Sequence, residues 1–305
     1  MAIWQATQVK DLLDHYGFES ELVFIKSEGD VDLVTPLYEI GVQGIFTRSL
    51  DAALLSNMID VAVHSLKDVP TRLPNGISQA AVLRRGPVND LLVFKNEKTQ
   101  EKYASLSSDE SGRSFDGIFA VATSSIRRKA QWLNRYPGHV IYNLRGNVNT
   151  RLKKLQQEDW DAAIFAQAGL ERIGLRPKTS AILDWMLPAP AQGAIVAACR
   201  EDDRFSFNAC QKFNDHETEL CTRLERDFLR ILLGGCSTPI SALAEIKDSQ
   251  VHFKGNILSL DGKEKVEIEK FAATKNSVGI GQLAAEELLA KGGEEIAGSI
   301  RDAAK

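Results

Sequence analysis

Between Gly117 and Gln157 the chain carries Arg127, Arg128, Lys129, Arg135, Arg145, Arg151, Lys153 and Lys154 with no Asp or Glu among them, although the 305-residue whole has a net charge of -4. A solvated basic face normally interleaves acids, so this window reads as a field built to hold something anionic. Ile118 to Val121 is a short apolar run. Thr123, Ser124 and Ser125 then supply hydroxyls and N–H groups where a helix would begin, and Arg127-Arg128-Lys129 fill its first turn. Cations at a helix N-terminus are unfavourable unless an anion joins them. The pattern repeats with Val140 to Leu144, Arg145-Gly146-Asn147, and a helix opened by Asn149-Thr150-Arg151 and running through Leu155. Two adjacent strand-to-helix turns carrying arginines describe a pocket for several carboxylates or phosphates.

Two further positions could do proton or covalent chemistry. His64-Ser65-Leu66-Lys67-Asp68-Val69-Pro70 is a polar loop after an apolar run, and open α/β sheets place ligands at the carboxyl ends of strands. Asp68 reads either as a functional carboxylate or as a loop acid paired with Lys67; His64 lacks the partners of a base and reads as a satisfied polar residue. Cys236 follows Gly234-Gly235, which would leave its thiol open as an attachment point or nucleophile, the other reading being a small buried hydrophobe. Cys199, Cys210 and Cys221, inside strand or helix patterns, read as buried. There is no C-x-x-C pair and no histidine at zinc spacing, so neither a metal site nor a disulfide framework is expected.

Positioning these residues takes an alternation of strands and helices. The chain opens in a helical pattern with Ile3, Val9, Leu12 and Leu13 on one side and Gly17 as a stop, followed by a strand over Leu22 to Ile25. A helix and strand with no strand before them are a half-finished α/β unit, so the beginning reads as truncated. A helix is expected from about Ile45 to Met58, a buried parallel strand over Ile59 to Val63, a strand over Leu91 to Phe94, and a partly mobile polar connector over Asn96 to Arg113. Asp161 to Phe165 reads as a strand, Gly169 to Ile173 as helix-like and bearing Arg172, and Ala191 to Val196 as a strand returning to the first sheet. A long helix from about Asp215 packs Leu220, Leu224, Phe228 and Ile231 inward. The last part is an α+β module, with a hairpin at Asp261-Gly262 and a helix from about Ile280 to Lys291. The expected fold is α/β: a doubly wound first lobe over 1–88 and 191–212, a doubly wound second lobe over 89–190, and a small α+β C-terminal domain over 213–305.

Hydrophobic content of 44% and charged content of 26% suit a soluble globular protein of two or three domains. No apolar run is long enough for a membrane span and no signal-peptide pattern opens the chain, so the expected location is the cytoplasm and no membrane partner is expected. A nucleic-acid partner would need a broadly basic domain, and a pI near 5.8 argues against one.

Six stretches then carry a resemblance. AVHSLKDVP (Ala62 to Pro70), ATSSIRRKAQW (Ala122 to Trp132), NLRGNVNTRL (Asn143 to Leu152), AGLERIGL (Ala168 to Leu175), APAQGA (Ala189 to Ala194) and GGCSTPI (Gly234 to Ile240) are similar, in order and spacing, to the hydroxymethylbilane synthase (porphobilinogen deaminase) family. The resemblance covers essentially the whole chain. It implies two lobes like those of periplasmic binding proteins with the active site in the cleft between them, and a third domain bearing a cofactor cysteine. It also implies the activity: a transferase of tetrapyrrole and heme biosynthesis that joins four porphobilinogen molecules head to tail with release of ammonia, then frees the linear tetrapyrrole with water.

Carried over by position, the resemblance makes Cys236 the thioether anchor of a dipyrromethane cofactor and Asp68 the catalytic carboxylate. Lys67, Ser65, Thr123, Ser125, Arg127, Arg128, Arg145 and Gly146 would hold the cofactor, and Arg151, Arg172, Gln192 and Phe46 the substrate. The partners would be porphobilinogen and the growing oligopyrrole, and the chain a monomer. Relatives have a strand and an Arg/Ser turn before a stretch like Ala2-Ile3-Trp4-Gln5-Ala6, so a chain starting at Met1 is expected to fold poorly or be inactive. Gln43 stands where many relatives have lysine, and Leu233 where glutamate is common. A two-lobed binding protein for small dicarboxylates is the alternative; it predicts no covalent adduct.

Overall fold

The computed structural model describes residues 1–25, 47–107, 118–232 and 238–303. Three sheets organise them. In the first, β1 (Val61–Ser65) and β2 (Ile77–Val82) flank β8 (Ile195–Arg200), each antiparallel to it. Alternation along β8 explains why both faces are covered: Ile195, Ala197 and Cys199 share a core with Val9 and Leu13 of α1 (Ala2–His15) and with Ala209 and Cys210 of α7 (Arg204–Gln211). Ala198 faces the other way, into the core built by Ala53 and Leu54 of α2 (Arg48–Leu55).

The second sheet has the order β5 (Val140–Tyr142), β4 (Ala120–Ala122), β6 (Ala162–Ala166), β3 (Asp90–Phe94), β7 (Ser180–Leu183). β4 runs parallel to β5 and β6, whereas β3 is antiparallel to β6 and β7. Its central strands are apolar on both faces, as two covered faces demand. Leu92, Phe94 and Ile164 enter an aromatic core with Phe119, Trp132 and Tyr136. Leu91, Val93 and Phe165 enter a second core with Leu144 and Leu155. The helices are α3 (Glu97–Ser107), α4 (Ile126–Arg135), α5 (Val148–Gln157) and α6 (Gln167–Glu171).

The third sheet is an antiparallel meander of β9 (Ile240–Lys247), β10 (Gln250–Leu258) and β11 (Lys265–Ala273), covered by α8 (His216–Ile231), α9 (Ile280–Leu288) and α10 (Glu294–Ala303). Asp215 caps α8 by accepting from the Thr218 N–H at 2.8 Å. Leu224 and Phe228 are fully buried, with Leu220 and Ile231 packed against the same core. Two glycines set the spacing: a Cβ on Gly281 would lie 2.0 Å from the Leu224 carbonyl oxygen, and one on Gly255 2.6 Å from the Phe228 ring. Helix α4 docks on this sheet, with Gln131 Nε2 donating to Ser241 Oγ at 2.9 Å and Asn134 Nδ2 to the Gly262 carbonyl at 2.7 Å.

Several expectations are corrected. Leu22–Ile25 is irregular rather than a strand. The strand expected at Ile59 to Val63 lies at Val61–Ser65 and pairs antiparallel, because its neighbour is the returning strand β8. The polar stretch after Asn96 forms α3, whose Tyr103 packs on Phe94 at 5.4 Å between ring centres. Residues 191–194 are a turn, with Ala191 at φ 62° and Gly193 at φ 86°, so the strand starts at Ile195. Gly193 is needed there, since a Cβ would meet the Gly86 carbonyl oxygen at 2.7 Å.

Candidate active site

Strand β1 delivers Asp68. Its chain leaves the sheet at Ser65 and closes a 3-10 turn over Leu66–Asp68, with the Leu66 N–H donating to the Ala194 carbonyl at 3.1 Å and Leu66 buried. That burial anchors the turn and leaves Lys67 and Asp68 half-buried. Lys67 has its ammonium pKa pushed down by burial, with Asp68 pulling the other way and Arg128 adding to the depression. Ser65 Oγ accepts from Gln5 Nε2 at 2.8 Å, tying the loop's start to α1.

Two strand-to-helix turns, built as the hydroxyl and amide spacing predicts, carry arginines whose charges reach this loop. Ser125 caps α4 by accepting from the Arg128 N–H, and Thr123 Oγ1 accepts from the Ser125 N–H at 3.2 Å. Asn147 caps α5 through the Thr150 N–H at 2.9 Å. Gly146 sits at φ 112°, where a Cβ would lie 2.8 Å from Thr150 Cγ2, so the turn requires glycine. Arg151 Nε donates to the Gly146 carbonyl at 2.6 Å. Its pKa is pushed down to about 10, first by burial, then by Arg128 and Arg145, against the pull of Asp68. Through these mutual influences Asp68, after a strand of the first sheet, and Arg128, Arg145 and Arg151, in turns of the second, share one electrostatic neighbourhood. A carboxylate entering it would relieve the crowding of cations.

The acid-free window is not uncompensated, however. Asp90 at the head of β3 is fully buried and takes Arg127 Nη2 at 2.7 Å on one oxygen, and Arg128 Nη2 at 2.8 Å and Gln192 Nε2 at 2.9 Å on the other. Burial alone would raise its pKa; the two guanidinium groups outweigh that and hold it well below the usual carboxylate range. Arg127 Nη1 also donates to the Leu187 carbonyl at 2.8 Å and Arg128 Nη1 to the Ile164 carbonyl at 3.1 Å. Both arginines are therefore braced from behind. Gln192 likewise spends its amide N–H groups on Asp90 and the Val88 carbonyl. Arg172 donates to the Gly193 carbonyl at 2.7 Å and lies over the Trp4 ring at 5.5 Å, its pKa lowered by burial.

Phe46, Cys236, Gln43 and Leu233 lie outside the described residues. Cys199, Cys210 and Cys221 are buried, and burial pushes the thiols of Cys210 and Cys221 up to about 12, as suits inert core residues. Trp132 and Tyr136, aromatic members of the basic window, are buried in the aromatic core of the five-stranded sheet. Among the described residues there is no cluster of His, Cys, Asp and Glu suited to a metal, and no helix long and apolar enough to cross a membrane. Asp90 and Glu225, both fully buried, escape sequence reading, because their partners lie 34 or more positions away or are backbone N–H groups.

The family model described as "Porphobilinogen deaminase, dipyromethane cofactor binding domain" matches residues 1–207, and that described as "Porphobilinogen deaminase, C-terminal domain" matches residues 219–290. A curated protein of Chlorobium phaeobacteroides (strain BS1), named porphobilinogen deaminase, is 39% identical over 310 residues, covering 99% of this chain and 95% of that protein. Among solved structures, a probable amino-acid ABC transporter extracellular-binding protein from Bacillus subtilis aligns at 11% identity, with a TM-score of 0.39, over 68% of this chain and 78% of that one. With both family models matching and a relative 39% identical over 99% of its length, the chain belongs to the porphobilinogen deaminase family.

Proposed function

We propose that the chain is a hydroxymethylbilane synthase, which condenses four porphobilinogen molecules head to tail, releasing ammonia at each addition, and frees the linear tetrapyrrole by hydrolysis. The observation that carries the reading is a half-buried carboxylate, Asp68, on a turn that shares its electrostatic neighbourhood with arginines whose charges oppose one another. Pyrroles bearing acetate and propionate arms present anions to such a cluster while their ring N–H groups can meet a carboxylate. The donor set therefore fits an acid-bearing dipyrromethane. Once bound, that group supplies a carbon nucleophile at the free position of its terminal ring.

In this reading Cys236 holds the dipyrromethane through a thioether, and Ser65, Lys67, Thr123, Ser125, Arg145 and the Gly146 turn position its acid arms. Arg127 and Arg128, pinned by Asp90, form the fixed floor of the cationic field rather than mobile clamps. Arg151, Arg172 and Phe46 serve the incoming porphobilinogen, whereas Gln192, expected there from the resemblance, is buried against Asp90 and the Val88 carbonyl and braces the same floor. Each addition breaks the bond from the aminomethyl carbon to nitrogen, forms one carbon–carbon bond, and releases ammonia. Asp68 stabilises the positive charge left on the substrate carbon as nitrogen departs. It also gives a proton to the departing amine and, once the carbon–carbon bond has formed, takes one back from the attacked ring position. The buried field around the turn keeps that exchange out of bulk water.

The lobes of this reading are 1–88 with 191–212, and 89–190, with 213–305 as the cysteine-bearing domain; the enzyme acts as a cytoplasmic monomer with no nucleic-acid partner. The test is intact mass of the purified full-length protein together with porphobilinogen consumption. The expected result is a covalent increment of two linked pyrroles that Cys236→Ser removes, and loss of turnover in Asp68→Asn with the increment retained. A full-length protein that lacks the increment and leaves porphobilinogen untouched overturns the reading.

A further inference from the structure

The turn that presents Asp68 is gripped from outside its own lobe. Arg226, on α8, donates through Nη1 to the carbonyls of Leu66 at 3.2 Å and Val69 at 2.9 Å, and through Nη2 to that of Pro70 at 2.6 Å. These acceptors bracket Lys67 and Asp68 on both sides. One planar fork therefore fixes the backbone before and after the catalytic carboxylate, which three rotatable ammonium protons on a point charge could not reproduce. The partners are 156 to 160 residues apart in sequence, so this is a tertiary contact of two different units and not a local turn.

The helix that carries Arg226 is itself fixed. The neighbouring Glu225 is fully buried. Its Oε1 accepts from Arg85 Nη1 at 2.6 Å and the Ala244 N–H at 2.8 Å, and its Oε2 from Arg85 Nη2 at 2.9 Å and the Ala191 N–H at 2.6 Å. Those groups come from the segment joining the first two sheets, the turn before β8, and β9 of the third sheet. Further up, Thr218 Oγ1 accepts from the Arg85 N–H at 3.1 Å. α8 is thus clamped at the junction of all three units before Arg226 reaches the Asp68 turn, and it ends at Ile231, five positions before Cys236.

The geometry points to Arg226 as a positioning residue that sets the Asp68 carboxylate in register with the C-terminal unit. Its three bonds to this turn all go to backbone carbonyls, so its effect through the turn falls on the chemical step and not on substrate affinity. An error of about an ångström in a catalytic group costs roughly a hundredfold in rate, and the fork is the element that suppresses such an error here. The inference rests on the proposed activity for its rate arm; its backbone arm stands without it.

The experiment compares Arg226→Lys and Arg226→Met with the parent chain. Intact mass measures the fraction carrying the covalent increment, and kcat and KM for porphobilinogen are taken per loaded molecule. Amide hydrogen exchange is read separately over residues 66–69, over 120–166 and over 240–273. The expected result is kcat lowered roughly tenfold in the lysine variant and about a hundredfold in the methionine variant, with KM within about twofold and the increment retained. Exchange should quicken over 66–69 alone. Unchanged kcat per loaded molecule, or exchange that quickens equally in all three regions, overturns the inference, the second outcome making Arg226 a general structural tie. If the methionine variant does not fold, the lysine variant decides. If the parent chain turns over no porphobilinogen, the proposed activity has failed, and exchange over 66–69 still reports whether Arg226 holds the turn.

Discussion

Asp90→Asn is the sharpest perturbation of the arginine cluster, because it changes one charge and almost no volume. Asp90 is fully buried and accepts from Arg127, Arg128 and Gln192 at 2.7 to 2.9 Å. The amide leaves two guanidinium groups, themselves only 5% and 6% exposed, without their shared anion. It also turns an N–H toward one of these donors. Breaking a buried pair by removing one partner costs about 3–5 kcal/mol, chiefly the uncompensated charge left behind. Near the low end of that range the melting temperature falls by about 10 °C. Adding Arg127→Met and Arg128→Met should recover part of the loss, since the stranded charges go with it. Acid supplies the second readout. The Asp90 pKa is depressed in the fold by the two guanidinium groups, which outweigh its burial. Its contribution is therefore fully present above the unfolded value of 3.8 and is lost as pH falls through the lower folded value. The gap between parent and Asp90→Asn should be constant from pH 7 to about pH 5 and narrow below pH 4. Thermal unfolding across that range checks both points. A variant melting within about 2 °C of the parent at pH 7 would refute the view that Asp90 neutralises the arginines.

Two other variants probe how the units are joined. Glu225→Gln should cost about 3–5 kcal/mol by stranding Arg85, and should lower the unfolding midpoint in urea while leaving the buried thiols protected until the main transition. Gly281→Ala should destabilise the third unit by about 1–3 kcal/mol or more, because its methyl would overlap the Leu224 carbonyl between α8 and α9. Gly138→Ala, with nothing within 4 Å of the new Cβ, is the neutral control, and equal midpoints for the two would count against close helix contact as the reason for glycine.

The local grammar of the site was legible in the sequence because the chemistry is local. Ser125 and Asn147 cap their helices through N–H groups three residues on, and Gly146 holds a positive φ, all within the two turns that the hydroxyls and glycine marked out. The core of α8 was legible for the same reason, since Leu224 and Phe228 fall on one helical stripe. Strand β9 escaped because its inward residues Ala242 and Ala244 are small, giving a weak alternation. The reading of α3 as a connector failed because one aromatic residue, Tyr103, supplies much of what docks an otherwise polar helix.

Charge is where one-dimensional reading fails in a systematic way. A run of cations says nothing about an acid from a distant strand, so Arg127 and Arg128 looked free to meet a ligand until β3 brought Asp90 beneath them. Glu225-Arg226 in α8 looks like an ordinary solvated helix pair, but a helix turns about 100° between neighbours. One of the two side chains is carried into the junction of the three units and the other onto the Asp68 turn. Neither points to solvent, and each is paid for by fixed partners rather than by water. A buried ion pair contributes little net stability over a well-packed apolar substitute, so stability alone gives no reason for polar residues at these two places. Their directional bonds, in contrast, join three units at one turn, and on the proposed role of Asp68 an enzyme that keeps this carboxylate aligned through successive additions needs that alignment more than it needs the last few kcal/mol.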